Sequence, residues 1–151
     1  MPRFNSDRDI KFFEQISSEL VDDVIETLVT LFKINVLETA YNLYGESLNK
    51  KYYKGMETHC VIERDATEAN YEGYGADASR TTRFRFNRHT LIEKNFYPEI
   101  GDYVFLDGSY YEVSNVVEDQ WVGGQGGNKF SIICETFVSR NTNINLEETI
   151  R

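Results

Sequence analysis

Pro98-Glu99-Ile100-Gly101-Asp102, Tyr103-Val104-Phe105-Leu106, Asp107-Gly108 and Tyr110-Tyr111-Glu112-Val113-Ser114-Asn115-Val116 form the run that decides how the chain folds. Proline and glycine break the chain at 98–102, and 103–106 reads as a strand. Asp-Gly is the dipeptide that tight two-residue hairpin turns prefer, because it tolerates positive φ. The segment 110–116 is then the return strand. A hairpin of this kind commits the region to an antiparallel sheet.

Thr58-His59-Cys60-Val61-Ile62-Glu63-Arg64, Thr82-Arg83-Phe84-Arg85-Phe86-Asn87-Arg88 and Phe130-Ser131-Ile132-Ile133-Cys134-Glu135-Thr136-Phe137-Val138 read as further strands on either side of that hairpin. Between the first two, residues 66–79 contain Asn70, Gly73, Gly75 and Asp77 and no aliphatic residue larger than alanine. This stretch reads as a loop of about 14 residues, longer than most connections in compact domains. Tyr44-Gly45-Glu46-Ser47 is a turn signal. Toward the N-terminus, Ser6 and Asp9 resemble a capping box. Behind them Ile10, Phe13, Leu20, Val24 and Leu28 recur near a 3.6-residue period, with Glu14, Glu19, Asp22, Asp23 and Glu26 elsewhere. That is an amphipathic helix of roughly 20 residues with an acidic outer face. Residues 29–36, rich in β-branched and aromatic side chains, are extended or continue the helix. The expected fold is α+β: an N-terminal amphipathic helix packed on an antiparallel β-sheet or small β-barrel, with long loops. One domain spans 1–139, and 140–151 is a polar tail or arm.

The 151 residues are 40% hydrophobic and 27% charged, enough for one core without disulfides or a structural metal. Aromatics reach 14%, a composition suited to strands and interfaces. With 25 acidic against 16 basic residues the net charge is -9, which excludes a DNA-coating role, since phosphate binding rests on excess Lys and Arg. Cys60 and Cys134 lack C-x-x-C spacing and read as small buried hydrophobes of a reducing cytosol. No apolar run approaches the roughly 20 residues of a bilayer span, so no membrane is expected. Residues 1–7 lack an apolar h-region, so a cleaved signal peptide is not expected.

Catalytic signals are absent from the pattern. His59 and His89 are not at metal-ligand spacing with cysteine or with each other, and no G-x-S-x-G elbow occurs. The loop Gly123-Gly124-Gln125-Gly126-Gly127-Asn128 lacks G-K-[ST] and is followed by strand-like residues, so it does not read as a phosphate cradle. Its Gly-Gly-Gln matches the tripeptide that serves peptidyl-tRNA hydrolysis in release factors. An acidic chain without a basic RNA-binding surface makes that match a coincidence. No enzyme activity, cofactor or metal is expected. Gly123, Gly124, Gln125, Gly126 and Gly127 read instead as a hairpin tip that docks into a neighbour.

One anomaly stands out. Arg80, Arg83, Arg85, Arg88 and Lys94 make 80–94 basic inside an acidic chain, and Arg83 and Arg85 share one strand face while Phe84 and Phe86 share the other. Two readings fit: a solvated strand face above a buried aromatic one, or a subunit contact. In the second, Arg83, Arg85 and Arg88 meet the acidic face of a neighbour's helix at Glu19, Asp22 and Asp23. Opposite charges in separate regions of one chain suit a head-to-tail ring.

Tyr44-Gly45-Glu46-Ser47, Pro98-Glu99-Ile100-Gly101-Asp102-Tyr103, Tyr110-Tyr111-Glu112-Val113 and the run from Asp119-Gln120 through Gly127-Asn128-Lys129-Phe130 resemble segments of small virion proteins of contractile-tailed, T-even-like bacteriophages. The likeness is to neck proteins of the head-closure type, and it spans about residues 41–140. It implies a non-enzymatic structural subunit of the head-tail connector, assembled in the host cytoplasm as a homo-oligomeric ring and located at the virion neck. Such a ring joins the portal or adaptor protein to the tail terminator or tail proteins, and DNA only passes through its lumen. A tail-terminator or baseplate component of the same virion is the alternative, as is a small phage-encoded binding protein.

Overall fold

The computed structural model describes residues 7–37, 39–41, 43, 47–65, 68–71, 76–79, 81–120, 127 and 129–139. The chain opens with helix α1 (Asp7–Glu19), which continues as a wider π-helical segment (Leu20–Ile25). Together they realise the amphipathic helix that the sequence predicts. Glu26 ends it in the left-handed conformation (φ 48°), and its N–H reaches back five residues to the Val21 carbonyl at 3.2 Å. Ser6, the expected cap, lies outside the described residues.

The strands are β1 (Leu28–Phe32), β2 (Ala40–Tyr41), β3 (Ser47–Asn49), β4 (Met56–His59), β5 (Val61–Arg64), β6 (Glu68–Tyr71), β7 (Ala76–Ser79), β8 (Thr81–Asn87), β9 (Tyr103–Leu106), β10 (Ser109–Gln120) and β11 (Lys129–Val138); a short helix α2 (Arg88–Glu93) follows β8. Seven strands form one antiparallel sheet in the order β4-β1-β9-β10-β11-β8-β5. Residues 29–36 therefore begin as strand, as one of the two readings expected.

The expected single strand over 58–64 is two strands, and they lie at opposite ends of that order. Only Cys60 separates β4 from β5, so the two edges of the sheet lie two residues apart, within about 7 Å at that point. The sheet is rolled until its edges meet at one corner. It does not close into a barrel by hydrogen bonding, because its two edge strands are consecutive pieces of one ribbon. Its first half pairs with β1 and its second with β8. The corner is pinned by the Cys60 N–H, which donates to the Thr27 carbonyl at 3.0 Å.

The deciding hairpin forms as read. Ser109 pairs with Leu106, and Asp107 (φ 48°) and Gly108 (φ 78°) both take positive φ in the two-residue turn. Gly101 (φ 96°) makes the preceding bend, and its N–H reaches the Val113 carbonyl at 2.9 Å. The return strand runs on to Gln120, with a bulge at Ser114 between Val113 and Asn115. There the Ser114 hydroxyl donates to the Glu135 carbonyl at 2.9 Å. A bulge adds local twist, which lets so long a strand follow the rolled sheet.

Two expectations are corrected. The presumed loop over 66–79 holds β6 and β7, a separate two-stranded antiparallel pair. Backbone pairing needs no large aliphatic side chains, so their scarcity over 66–79 does not prevent strands there. Arg88, placed at the end of a strand, instead starts α2, because the Asn87 side chain caps that helix by accepting the His89 N–H at 3.3 Å.

The concave face of the sheet holds Val29, Leu31, Cys60, Phe84, Phe86, Val104, Leu106, Val113, Ile132 and Cys134, closed at one end by Leu91 of α2. Phe84 and Phe86 stack at 6.5 Å, and Phe84 meets Tyr111 edge-on at 5.3 Å. On the opposite face of β9 and β10 lies a second aromatic set. Tyr52 packs edge-on against Tyr103 at 5.1 Å, and Tyr110 meets Phe105 at 4.8 Å. Strand β9 is thus covered on both sides.

Candidate functional site

Strand alternation sends Phe84 and Phe86 into the core and turns Arg83 and Arg85 outward, as the sequence predicts. Their partners were not legible. Arg83 bridges Asp65 at 2.9 Å and Glu135 at 3.2 Å; Glu135 lies opposite it in the β8–β11 register. Arg85 reaches Asp119 at 2.6 Å and Glu63 at 3.3 Å. Arg88 lies 3.6 Å from Glu118, which also pairs with Lys129 and accepts from the Tyr97 hydroxyl at 3.2 Å. The outer face of β5, β8, β11 and β10 is therefore a lattice of alternating charge. Four basic groups stand among five carboxylates, so Arg83, Arg85 and Arg88 of the basic cluster are matched within the chain.

The electrostatics follow the contacts. The hydrogen bond from Lys129 holds the Glu118 carboxyl below the ordinary glutamate range. Asn115, with Arg83, does the same for Glu135. The Arg83 guanidinium is raised by its bond to Glu135.

The acidic helix face divides in the same way. Asp22 points back to the body of the protein. Its carboxylate accepts from Ser18 at 3.1 Å and from Thr90 at 3.4 Å, and it lies 3.7 Å from His59 Nδ1. With Val21 buried, these contacts fasten the π-helical segment to β4 and α2. Glu19 accepts from a neutral partner, Gln15, at 3.2 Å. Asp23 is exposed. The complementarity imagined between neighbouring subunits is thus met in part within one chain. Arg80, Gly123, Gly124, Gln125 and Gly126 lie outside the described residues; Gly127 is an exposed turn residue.

The amphipathic pattern predicts a helix whose apolar face is its buried side. The structure gives α1 no buried residue. Of the apolar residues expected on the buried side, Phe13 is 50% exposed, Leu20 48%, Val24 71% and Leu28 52%, and Ile10 is half-buried. Phe12 at 59% and Ile16 at 45%, which the period does not single out, extend Leu20 and Val24 into an outward stripe, while Val21 and Asp22 anchor the C-terminal end. Period-counting finds Leu20 and Val24 but neither Phe12 and Ile16 nor the exposure of the row they form.

Groups with unusual environments serve the fold. Burial pushes both Cys60 and Cys134 thiols up to about 12, which keeps them protonated. Asp102 is buried and raised by desolvation, yet both its oxygens accept backbone N–H groups. Among the described residues no group of three or more His, Cys, Asp or Glu could hold a metal ion, and no helix is long and apolar enough to cross a membrane.

The fold and these surfaces define an α+β protein with a rolled antiparallel sheet and an attached amphipathic helix whose apolar side is open. Neither a protein-family model nor a curated protein matches the chain.

Proposed function

We propose that the chain is a non-enzymatic structural subunit of a phage virion, working at the neck as a head-closure ring component between portal and tail. The observation that carries a role in assembly is the outward apolar stripe of Phe12, Ile16, Leu20 and Val24 on a helix fastened at one end. A contiguous exposed apolar surface marks a docking element. The neck itself is supported by the resemblance across residues 41–140. The net charge of -9 fits a lumen past which packaged DNA slides without sticking.

Mass spectrometry of purified particles, with and without tails, tests this reading. The neck assignment expects the chain in tailless heads that have completed packaging. Presence only in free tails moves it to a tail terminator or baseplate, and absence from all particles overturns a virion role.

A further inference from the structure

We infer that the helix over 7–25 docks into an apolar groove rimmed by Lys or Arg on a different protein, not onto a second copy of this chain. This deepens the assembly reading above and rests on its claim that the helix is a docking element.

The stripe is continuous. Phe12, Ile16, Leu20 and Val24 follow one another at four-residue steps. In an α-helix each such step overshoots a full turn by about 40°, so a four-residue stripe drifts round the axis. The wider π-helical segment over 20–25 advances less per residue, and its four-residue step from Leu20 to Val24 turns back against that drift. The four side chains therefore share one face roughly 18 Å long. That is the pattern of a helix read by a groove through anchors one turn apart.

The border of the stripe names the partner's chemistry. Glu19 and Asp23 follow Ile16 and Leu20 by three residues, so they are lateral neighbours of the stripe. Residues 7–26 carry seven carboxylates against Arg8 and Lys11, a balance of -5. Pairing this helix with its own copy sets like charge against like charge. A head-to-tail copy does no better, because the basic cluster at Arg83, Arg85 and Arg88 is already matched by Asp65, Glu63, Glu118, Asp119 and Glu135. An anionic membrane repels the same border. A groove with a basic rim on another chain satisfies both the apolar face and its charge.

The test uses the full chain and a synthetic helical peptide of about 18 residues with a leucine face bordered by lysines, alongside the same peptide bordered by glutamates. The chain binds the lysine peptide, and binding weakens as salt rises. Ile16→Asp with Leu20→Asp lowers affinity about tenfold or more, although it makes the chain more acidic. Glu19→Lys with Asp23→Lys shifts preference to the glutamate peptide. Equal binding of both peptides by the native chain, or no binding, overturns the inference. So does undiminished binding by the aspartate variant. Self-association of the free chain that the aspartate variant abolishes assigns the stripe to a second copy, and vesicle binding lost in that variant assigns it to lipid; either result overturns it. Virion mass spectrometry is independent of these arms, so the two readings fail separately.

Discussion

The carboxylate of Asp102 accepts the backbone N–H of Ile34 at 3.0 Å, joining the segment after β1 to the bend before β9. Its second oxygen takes the Glu99 N–H at 2.8 Å. One buried acid thus satisfies two backbone donors. Asp102→Ala leaves both without a partner and costs about 2–4 kcal/mol of stability in denaturant unfolding. Asp102→Asn costs less, because one oxygen acceptor remains. Burial raises the Asp102 pKa above its ordinary 3.8. A carboxyl raised on folding contributes stability below its unfolded value and loses it as pH rises through the folded value. The advantage of the native protein over Asp102→Asn is therefore largest in acid and shrinks toward neutral pH. A constant difference between the two across that range would refute this account.

The charge lattice responds to pH in the opposite sense. Glu118 and Glu135 are held below their ordinary 4.5 by their donors. Their contribution is present above 4.5 and is lost as pH falls through the lowered folded values. Glu118→Gln keeps an acceptor but removes the charge that Lys129 and Arg88 face. Its unfolding curve should be lower than native at pH 7 and converge with native in acid. Charge reversal at Arg83 and Arg85 gathers Glu63, Asp65, Asp119 and Glu135 around two further carboxylates, so thermal unfolding moves down by several degrees. An unchanged midpoint in that variant would mean the lattice is only solvated charge.

What the sequence disclosed and what it hid divide by range. The Asp107-Gly108 hairpin and the helix period are local, and both were legible, as was the sidedness of Arg83 and Phe84. The split of 56–64 at Cys60 was not, because which edge each half joins depends on β1 and β8, far away in sequence. The cis partners of the arginines were hidden for the same reason: Asp65 and Glu135 reach Arg83 only through strand pairing. The outward stripe on the helix is the plainest case. Leu20 and Val24 look like core by their period, and only the surroundings show them exposed.

Both thiols should be inert in the native protein. Cys60 and Cys134 are buried, and desolvation pushes each up to about 12, so almost no thiolate exists at pH 8. A thiol reagent should modify neither cysteine until denaturant is added, then both. Cys60→Ser places a hydroxyl among apolar neighbours and costs about 1–3 kcal/mol. Rapid labelling of native protein at either position would contradict the corner geometry at Cys60.

Gly55 and Gly108 require glycine for different reasons, and substitution separates them. A Cβ at Gly55 would stand 2.6 Å from Thr30 Cγ2 and 2.7 Å from Phe32 Cε1, where the chain closes on β1. A Cβ at Gly108 meets nothing within 4 Å, but the residue holds φ +78°. Gly55→Ala forces neighbouring side chains apart and costs about 1–3 kcal/mol. Gly108→Ala costs about 1–2 kcal/mol through backbone conformation alone. Trimming neighbours should therefore rescue only the first: Thr30→Ala with Phe32→Leu restores part of what Gly55→Ala loses relative to that double variant alone. Gly108→Asn, which tolerates the left-handed region, should be milder than Gly108→Ala. Double-mutant cycles read by denaturant unfolding give both comparisons. A null coupling between Gly55 and the Thr30/Phe32 pair would show that β1 does not pack against that glycine, and equal loss for Asn and Ala at 108 would remove the positive-φ turn.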